Sequence, residues 1–444
     1  MLPNTTTPDK PLSRGRQGRD PAMKSWLCTL PLCAVFAAAL LILVGCSRSR
    51  LEPAEVMGSP AMVDHGGNPR LWVVTKQKEV SVGSGTMDWR SDTFFHFGVQ
   101  AFDPLAAKPL WQKRLRTFGD HNAKGAAPSR VIGSTVDARL LGQDGNIVWL
   151  LIGEAPLAID IADGHVVADS EKLQQVNPEL KGLLPSEVKH YSFNQGLVLM
   201  AADARQFVVH GPDQKAVAYT PPPPPAPLEG RLQANGTREM VPTKPFGENP
   251  SRQVTLGGQW LGLYSEKEAV DAGKDEWGRN LRYPYRVMDE GKLSRRTFWR
   301  AKIITAQKFD DHFDRLSDLT PIPGAPTFLK GRFKTDPKTG EPLLLSDPEG
   351  VLVWHSTRVD DAGRLALTRL DADLKPIWKA ELPLSETDAV RQVATWLLPG
   401  HMVVVGQLQT TSEGVQTRTL QAATIDLKTG AFRTMDLAGN AGSR

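Results

Sequence analysis

The chain has 444 residues, with 53 Lys+Arg against 49 Asp+Glu and three cysteines. Residues 1–46 hold five of the basic and two of the acidic side chains, which leaves 48 against 47 beyond them. A body so balanced gives no support to nucleic-acid binding, which wants a basic stripe. All three cysteines, Cys28, Cys33 and Cys46, fall in the N-terminal stretch, so the rest has no thiols for disulfides, metal ligation or nucleophilic attack.

Residues 1–22 are polar and rich in Pro and Arg, without apolar periodicity, and read as a disordered leader or as sequence upstream of a start at Met23. From Lys24 the chain is basic, then uncharged from Leu27 to Val44, then small at Gly45, the make-up of a secretory signal peptide over 23–45. The ending Leu43-Val44-Gly45-Cys46 resembles a bacterial lipobox, which implies that Cys46 is lipidated and becomes the first mature residue. An uncleaved membrane anchor is the alternative, because the 18 uncharged residues reach the lower edge of spanning length. Residues 46–67, with Pro53, Pro60, Gly66 and Gly67, read as a lipidated tether. Ser47 stands where inner-membrane lipoproteins tend to carry Asp, so the resemblance implies an outer-membrane location facing the periplasm, with envelope proteins as partners.

Residues 68–438 read as short strands punctuated by turns. Leu71–Val74, Ile147–Ile152 and Leu197–Met200 are apolar runs of strand length. Between such runs a hairpin design recurs: an apolar strand ends in Asp, a polar turn follows, and the returning strand carries a large side chain. Asp103 leads to Trp111, Asp160 to Gly164, Asp371 to Trp378, and Asp426 through Gly430 to Phe432. Asp bonds the backbone ahead of it, Gly supplies positive φ, and the returning side chain packs between sheets. Repeated hairpins of this kind build a β-propeller, and the length suits seven or eight blades at ~40–50 residues each. The fold class expected is therefore all-β, a propeller with degenerate repeats.

These hairpins resemble quinoprotein-type (PQQ-repeat) propeller motifs. Lipobox and propeller together resemble proteobacterial propeller lipoproteins, and more distantly the propeller lipoprotein of the outer-membrane barrel-assembly machinery. The repeats depart from the pattern where Leu374-Lys375 and Pro104 to Ala107 lack the usual glycine.

Two stretches interrupt the design. Pro221–Pro225, with Ala226 and Pro227, opens a Pro-rich loop over 220–252 that reads as a stiff linker. Residues 265–316 read as a charged, aromatic insertion, with Asp310, Asp311, His312 and Asp314 as a solvated helix end that lacks the alternate oxygens and glycine of a calcium loop. The nucleophile elbow, phosphate loop, zinc-protease and dinucleotide motifs do not occur. His165, His210 and His401 read as structural. The functional expectation is a non-catalytic, lipid-anchored binding scaffold without cofactor or metal. A quinone-dependent dehydrogenase and a small-ligand sensor are the alternatives.

Overall fold

The computed structural model describes residues 48–82, 91–119, 133–223, 230–232, 238–240, 251–273, 295–308, 311–336, 339–360, 362–385, 394–412 and 415–437. The described residues are nearly all-β, folded into successive antiparallel meanders. Sheet I comprises Glu55–His65, Asn68–Val82, Ser91–Asp103 and Lys108–Gly119, with Arg48–Leu51 paired to the far end of Asn68–Val82. Sheet II is Ala138–Asp144, Ile147–Ile152, Ala155–Asp160 and Val166–Ala168. Sheet III is Tyr191–Phe193, Leu197–Met200, Gln206–Val209 and Ala216–Ala218. Sheet IV is Gln253–Leu256, Gln259–Tyr264, Arg295–Lys308 and Asp311–Pro321. In sheet V the first edge is split between Phe328–Phe333 and Leu344–Ser346, followed by Glu349–Ser356, Arg364–Asp371 and Pro376–Ser385. Sheet VI is Ala394–Leu398, His401–Ser412, Val415–Asp426 and Phe432–Asp436.

The middle strands are continuous apolar runs because both of their faces are covered. Alternate side chains of a strand point to opposite faces, and in sheets I, II, V and VI each face meets a different neighbouring sheet. In Ile147–Ile152, Val148, Leu150 and Ile152 pack with Trp72, Val74 and Phe97 of sheet I. Ile147, Trp149 and Leu151 of the same strand pack with Leu197, Leu199 and Val209 of sheet III. Val351 and Val353 face Val254, Leu261 and Leu263 of sheet IV, whereas Leu352 and Trp354 face Met402 and Val404 of sheet VI. Leu71 and Val73 of sheet I meet Val405, Ala422 and Met435 of sheet VI. The last sheet thus packs on the first. The first strand of sheet I also lies beside those of sheets II and VI, so first strands are innermost. Successive four-stranded meanders packed face to face, with the last on the first, are the arrangement of a β-propeller.

Six sheets of this form stand among the described residues, against an expectation of seven or eight. Long strands take up chain: Asn68–Val82 has 15 residues and Arg295–Lys308 has 14. A separate two-stranded pair, Gly230–Leu232 with Arg238–Met240, falls in the Pro-rich region, of which Pro221 to Pro223 are exposed and 224–229 lie outside the described residues.

The structure corrects two readings of the chain. Most of the expected tether is sheet: Glu55–His65 pairs with Asn68–Val82 and Val63 is buried. Its glycines are strand punctuation. Gly58 (φ 65°) lies in the bulge between Met57 and Ala61, and Gly66 (φ 60°) and Gly67 (φ 84°) make a two-residue turn of the type that demands two positive φ values. The expected insertion over 265–316 supplies the third and fourth strands of sheet IV. Asp311 to Asp314 begin a strand instead of ending a helix, because they pair with Arg295–Lys308 and that pairing decides their local structure. Their side chains, and residues 274–294, lie outside the described residues. The helices here are short: α1 (Ser170–Val176), capped by Asp169, and α2 (Glu266–Gly273). No helix among the described residues is long and apolar enough to cross a membrane.

Candidate functional site: the blade-junction turns and the cleft between sheets IV and V

The expected motif residues occupy the turn between the third and fourth strands of their sheets. Asp103 Oδ1 accepts from Leu105 N and Ala106 N at 2.9 Å each. Asp160 Oδ1 accepts from Ala162 N at 2.7 Å, Asp371 Oδ1 from Lys375 N at 2.8 Å, and Asp426 Oδ1 from Lys428 N and Thr429 N at 2.8 Å. The Thr429 N–H bond leads in holding the Asp426 carboxyl below its ordinary range. After each Asp, one residue takes positive φ: Ala107 (53°), Gly164 (75°), Leu374 (63°) and Gly430 (74°). Where glycine is missing, the backbone still turns left-handed. Buried Leu374 offsets that strain by packing with Leu256 and Leu370.

Each turn is gripped by the preceding sheet. Trp111 of sheet I lies against Gly164 of sheet II, where an added Cβ would stand 2.5 Å from the indole. Trp378 of sheet V covers Gly430 of sheet VI in the same way, at 2.6 Å, and donates from Nε1 to Leu427 O at 3.2 Å. Arginines reinforce both grips: Arg70 donates to Ile161 O at 2.7 Å, and Arg369 to Leu427 O at 2.9 Å. At the closing junction, Thr424 Oγ1 donates to Pro104 O at 2.6 Å and Arg433 to Leu105 O at 3.3 Å.

Phe432 does not share the place of the tryptophans. It is 38 % exposed, whereas Trp378 is 9 % exposed. Strand register explains the difference. Phe432 pairs with Ile425 as Pro109 pairs with Phe102 and Pro376 with Leu370. In sheets I and V a register shift then inserts one residue, Leu110 or Ile377, before the tryptophan. Sheet VI has no such shift there, so Arg433, opposite Thr424, stands where Trp111 stands opposite Ala101.

The strongest electrostatic feature lies in sheet IV. Ser265 Oγ accepts from Glu268 N at 3.2 Å and Glu268 Oε2 accepts from Ser265 N at 2.9 Å, a capping box at the start of α2. The same carboxylate, fully buried, receives Arg296 Nε at 2.9 Å and Nη2 at 2.9 Å, with Arg252 Nη1 at 3.2 Å. Burial pushes the Glu268 carboxyl up, but Arg296, Arg252 and the Ser265 N–H together hold it below the usual range. The box was legible as Ser265-x-x-Glu268; that two distant arginines converge on it was not. Arg296 Nη1 also donates to Gly331 O of sheet V at 3.1 Å.

This knot fixes a backbone bridge. Arg295 and Arg296 pair with Leu329 and Phe328, joining sheets IV and V into one nine-stranded sheet. Since alternate side chains face opposite ways, Arg296 points inward to Glu268 and Arg295 points out. Outside it lies a cleft of about 440 Å³ lined by Arg295, Leu329, Thr357, Arg358, Val359 and Asp360. The loop that walls it is tightly bonded: Ser356 Oγ donates to Arg358 O at 2.6 Å, Arg364 N to Thr357 Oγ1 at 2.9 Å, and Gly363 N to Asp360 O at 2.8 Å. A Cβ on Gly363 would stand 2.7 Å from Arg358 O, so the loop requires glycine there.

Other polar groups fit structural roles. Asp160, Asp163 and His165 lie close enough to hold a cation, but Asp163 Oδ1 takes both His165 N and Nδ1 to close the turn. His210 and His401 hydrogen-bond to Gln195 O and Pro399 O, both at 3.0 Å. Buried His355 meets Thr368 Oγ1 at 2.9 Å, and desolvation lowers its pKa. Lys334, on the inner edge of sheet V, has its amine at 2.9 Å from Thr395 Oγ1 of sheet VI, and burial lowers it to about 8. Cys46 lies outside the described residues.

No protein-family model matches the chain, and no curated protein matches it. Among solved structures, the WD40 domain of SCAP from fission yeast aligns over 88 % of this chain and 66 % of that one, at 8 % identity and a TM-score of 0.16. A likeness at that level carries no argument; the propeller rests on the strand pairing and the inter-sheet packing above.

Proposed function

We propose that the protein is a non-catalytic, protein-binding propeller of the bacterial cell envelope, held at the outer membrane by lipid on Cys46 and facing the periplasm. The observation that carries the binding role is a charged cleft, walled by a tightly bonded loop, on a body of closely packed sheets. The anchor rests on Leu43-Val44-Gly45-Cys46 following an apolar run, with no other cysteine in the mature chain. Because the strand Arg48–Leu51 is paired to Asn68–Val82 of sheet I, only Ser47 separates Cys46 in sequence from a strand of that sheet. Lipidation would therefore set sheet I against the bilayer instead of suspending the body on a tether, and an N-acylated diacyl cysteine supplies the more-than-one chain that stable anchoring needs.

The test is palmitate labelling and fractionation of wild type and Cys46→Ala in a Gram-negative host. Label in the wild type alone, with loss of outer-membrane fractionation in the variant, is the expected result. Unlabelled but membrane-retained protein in both would replace the lipid with an uncleaved anchor. Dye reduction by the purified chain supplied with a quinone cofactor would replace the scaffold with a dehydrogenase.

A further inference from the structure

We propose that the cleft between sheets IV and V docks an acidic segment of a partner protein, whose carboxylates pair with Arg295 and Arg358. The inference rests on the protein-binding reading and names the chemistry of the partner. Among the described lining residues two guanidiniums stand against one carboxylate, and that carboxylate is already spoken for: Asp360 is ion-paired with Arg358 of its own loop. Arg295 is different. Its side chain forms no ion pair or hydrogen bond among the described residues, although the buried Arg296–Glu268 knot fixes the strand that carries it. The fixed strand presents this cation at the cleft without a counter-charge among the described residues, open to donating a charge-assisted hydrogen bond to an anion.

The rest of the lining suits a peptide. Thr357 Oγ1 accepts from Arg364 N, which leaves its hydroxyl hydrogen to donate to a ligand. Leu329 and Val359, the latter 46 % exposed, offer apolar contact between the charged groups. Asp360 acts as a tethered competitor: an incoming carboxylate takes Arg295 directly and shares or displaces Asp360 at Arg358. Removing the Asp360 charge therefore strengthens binding. Its main-chain O, which accepts from Gly363 N and closes the loop, is untouched by a side-chain substitution.

The experiment is a fluorescence-anisotropy titration of the purified full-length chain in mild detergent with a fluorescein-labelled octaglutamate peptide. Wild type should bind, more weakly as salt rises, and an octalysine peptide should not. Arg295→Ala and Arg358→Ala should each weaken binding about five-fold or more, and Asp360→Asn should tighten it about three-fold. Arg114→Ala, on the exposed outer strand of sheet I, should bind as wild type. Because the Arg295 side chain is exposed and has no ion pair or hydrogen bond among the described residues, Arg295→Ala should melt at the wild-type temperature, so its loss of binding is not unfolding. Wild-type affinity in both arginine variants, or equal binding of octalysine, overturns the assignment. Phosphatidylglycerol vesicles that bind through Arg295 while the peptide does not would overturn it in favour of a lipid headgroup. Peptide binding that ignores the cleft variants sinks the cleft and leaves the scaffold standing; quinone-dependent turnover sinks the scaffold itself.

Discussion

Two junctions of the ring are built in opposite ways. Sheets IV and V share backbone bonds at Arg295–Leu329 and Arg296–Phe328, and a buried Glu268–Arg296 pair locks them. Sheets VI and I share no strand among the described residues. They meet through an apolar cluster containing Leu71, Phe102, Val405 and Met435, and through Thr424 and Arg433 reaching the turn after Asp103. A backbone bridge with a desolvated ion pair holds one register. A side-chain interface can part as a unit, and local opening concentrates where such bonds are few. The ring thus has a welded junction and a seam, and the candidate docking cleft lies at the weld.

The largest expected effect breaks the weld. Glu268→Ala leaves Arg296 buried without its counter-charge and should cost about 3–5 kcal/mol in urea unfolding. The milder Glu268→Gln adds a pH signature. A carboxyl held below its ordinary value contributes stability above about pH 4.3 and loses it as pH falls through the folded pKa. Wild type and Glu268→Gln should therefore differ in melting temperature at pH 7 and converge in acid. A constant offset would mean that the charge is not what holds the junction.

Next come the gripping tryptophans. Trp378→Ala should cost roughly 3–5 kcal/mol through lost burial and a cavity, with half-buried Trp111→Ala toward the lower end of that range. Wild-type urea midpoints in both would break the account of the repeats. Lys334 bridges sheets V and VI at a cost. Its amine titrates at about 8 in the fold and at about 10.4 unfolded. Between those values the unfolded chain binds the extra proton, so stability should rise with pH, by about 3 kcal/mol at most. In Lys334→Met the rise should vanish. At the seam, Arg433→Ala should cost only about 1 kcal/mol, a single hydrogen bond from a charged donor. Exposed Phe432→Ala should stay within about 0.5 kcal/mol.

The repeat was legible because each hairpin carries its own chemistry. Asp103, Asp160, Asp371 and Asp426 bond their turns locally, and the tryptophans of sheets I and V mark where a large side chain returns. Phe432 misled because aromatic identity does not report register: one extra residue in sheets I and V shifts which position faces the next sheet. The first strand was hidden for a similar reason, since Gly58, Gly66 and Gly67 look like a linker until the strand they bend and reverse is known. The cleft was not legible at all. Arg295, Arg358 and Asp360 gather there through a cross-sheet pairing between distant segments, and Arg295 differs from Arg296 only in the face on which alternation places it.

Closure of sheet VI on sheet I is tested most directly by cross-linking Leu105→Cys to Arg433→Cys with a short bismaleimide in dilute protein. A linked peptide pair containing positions 105 and 433 is the predicted product. If both thiols react with a monofunctional maleimide and no intramolecular pair forms, the last sheet does not meet the first, and the chain is not a closed propeller.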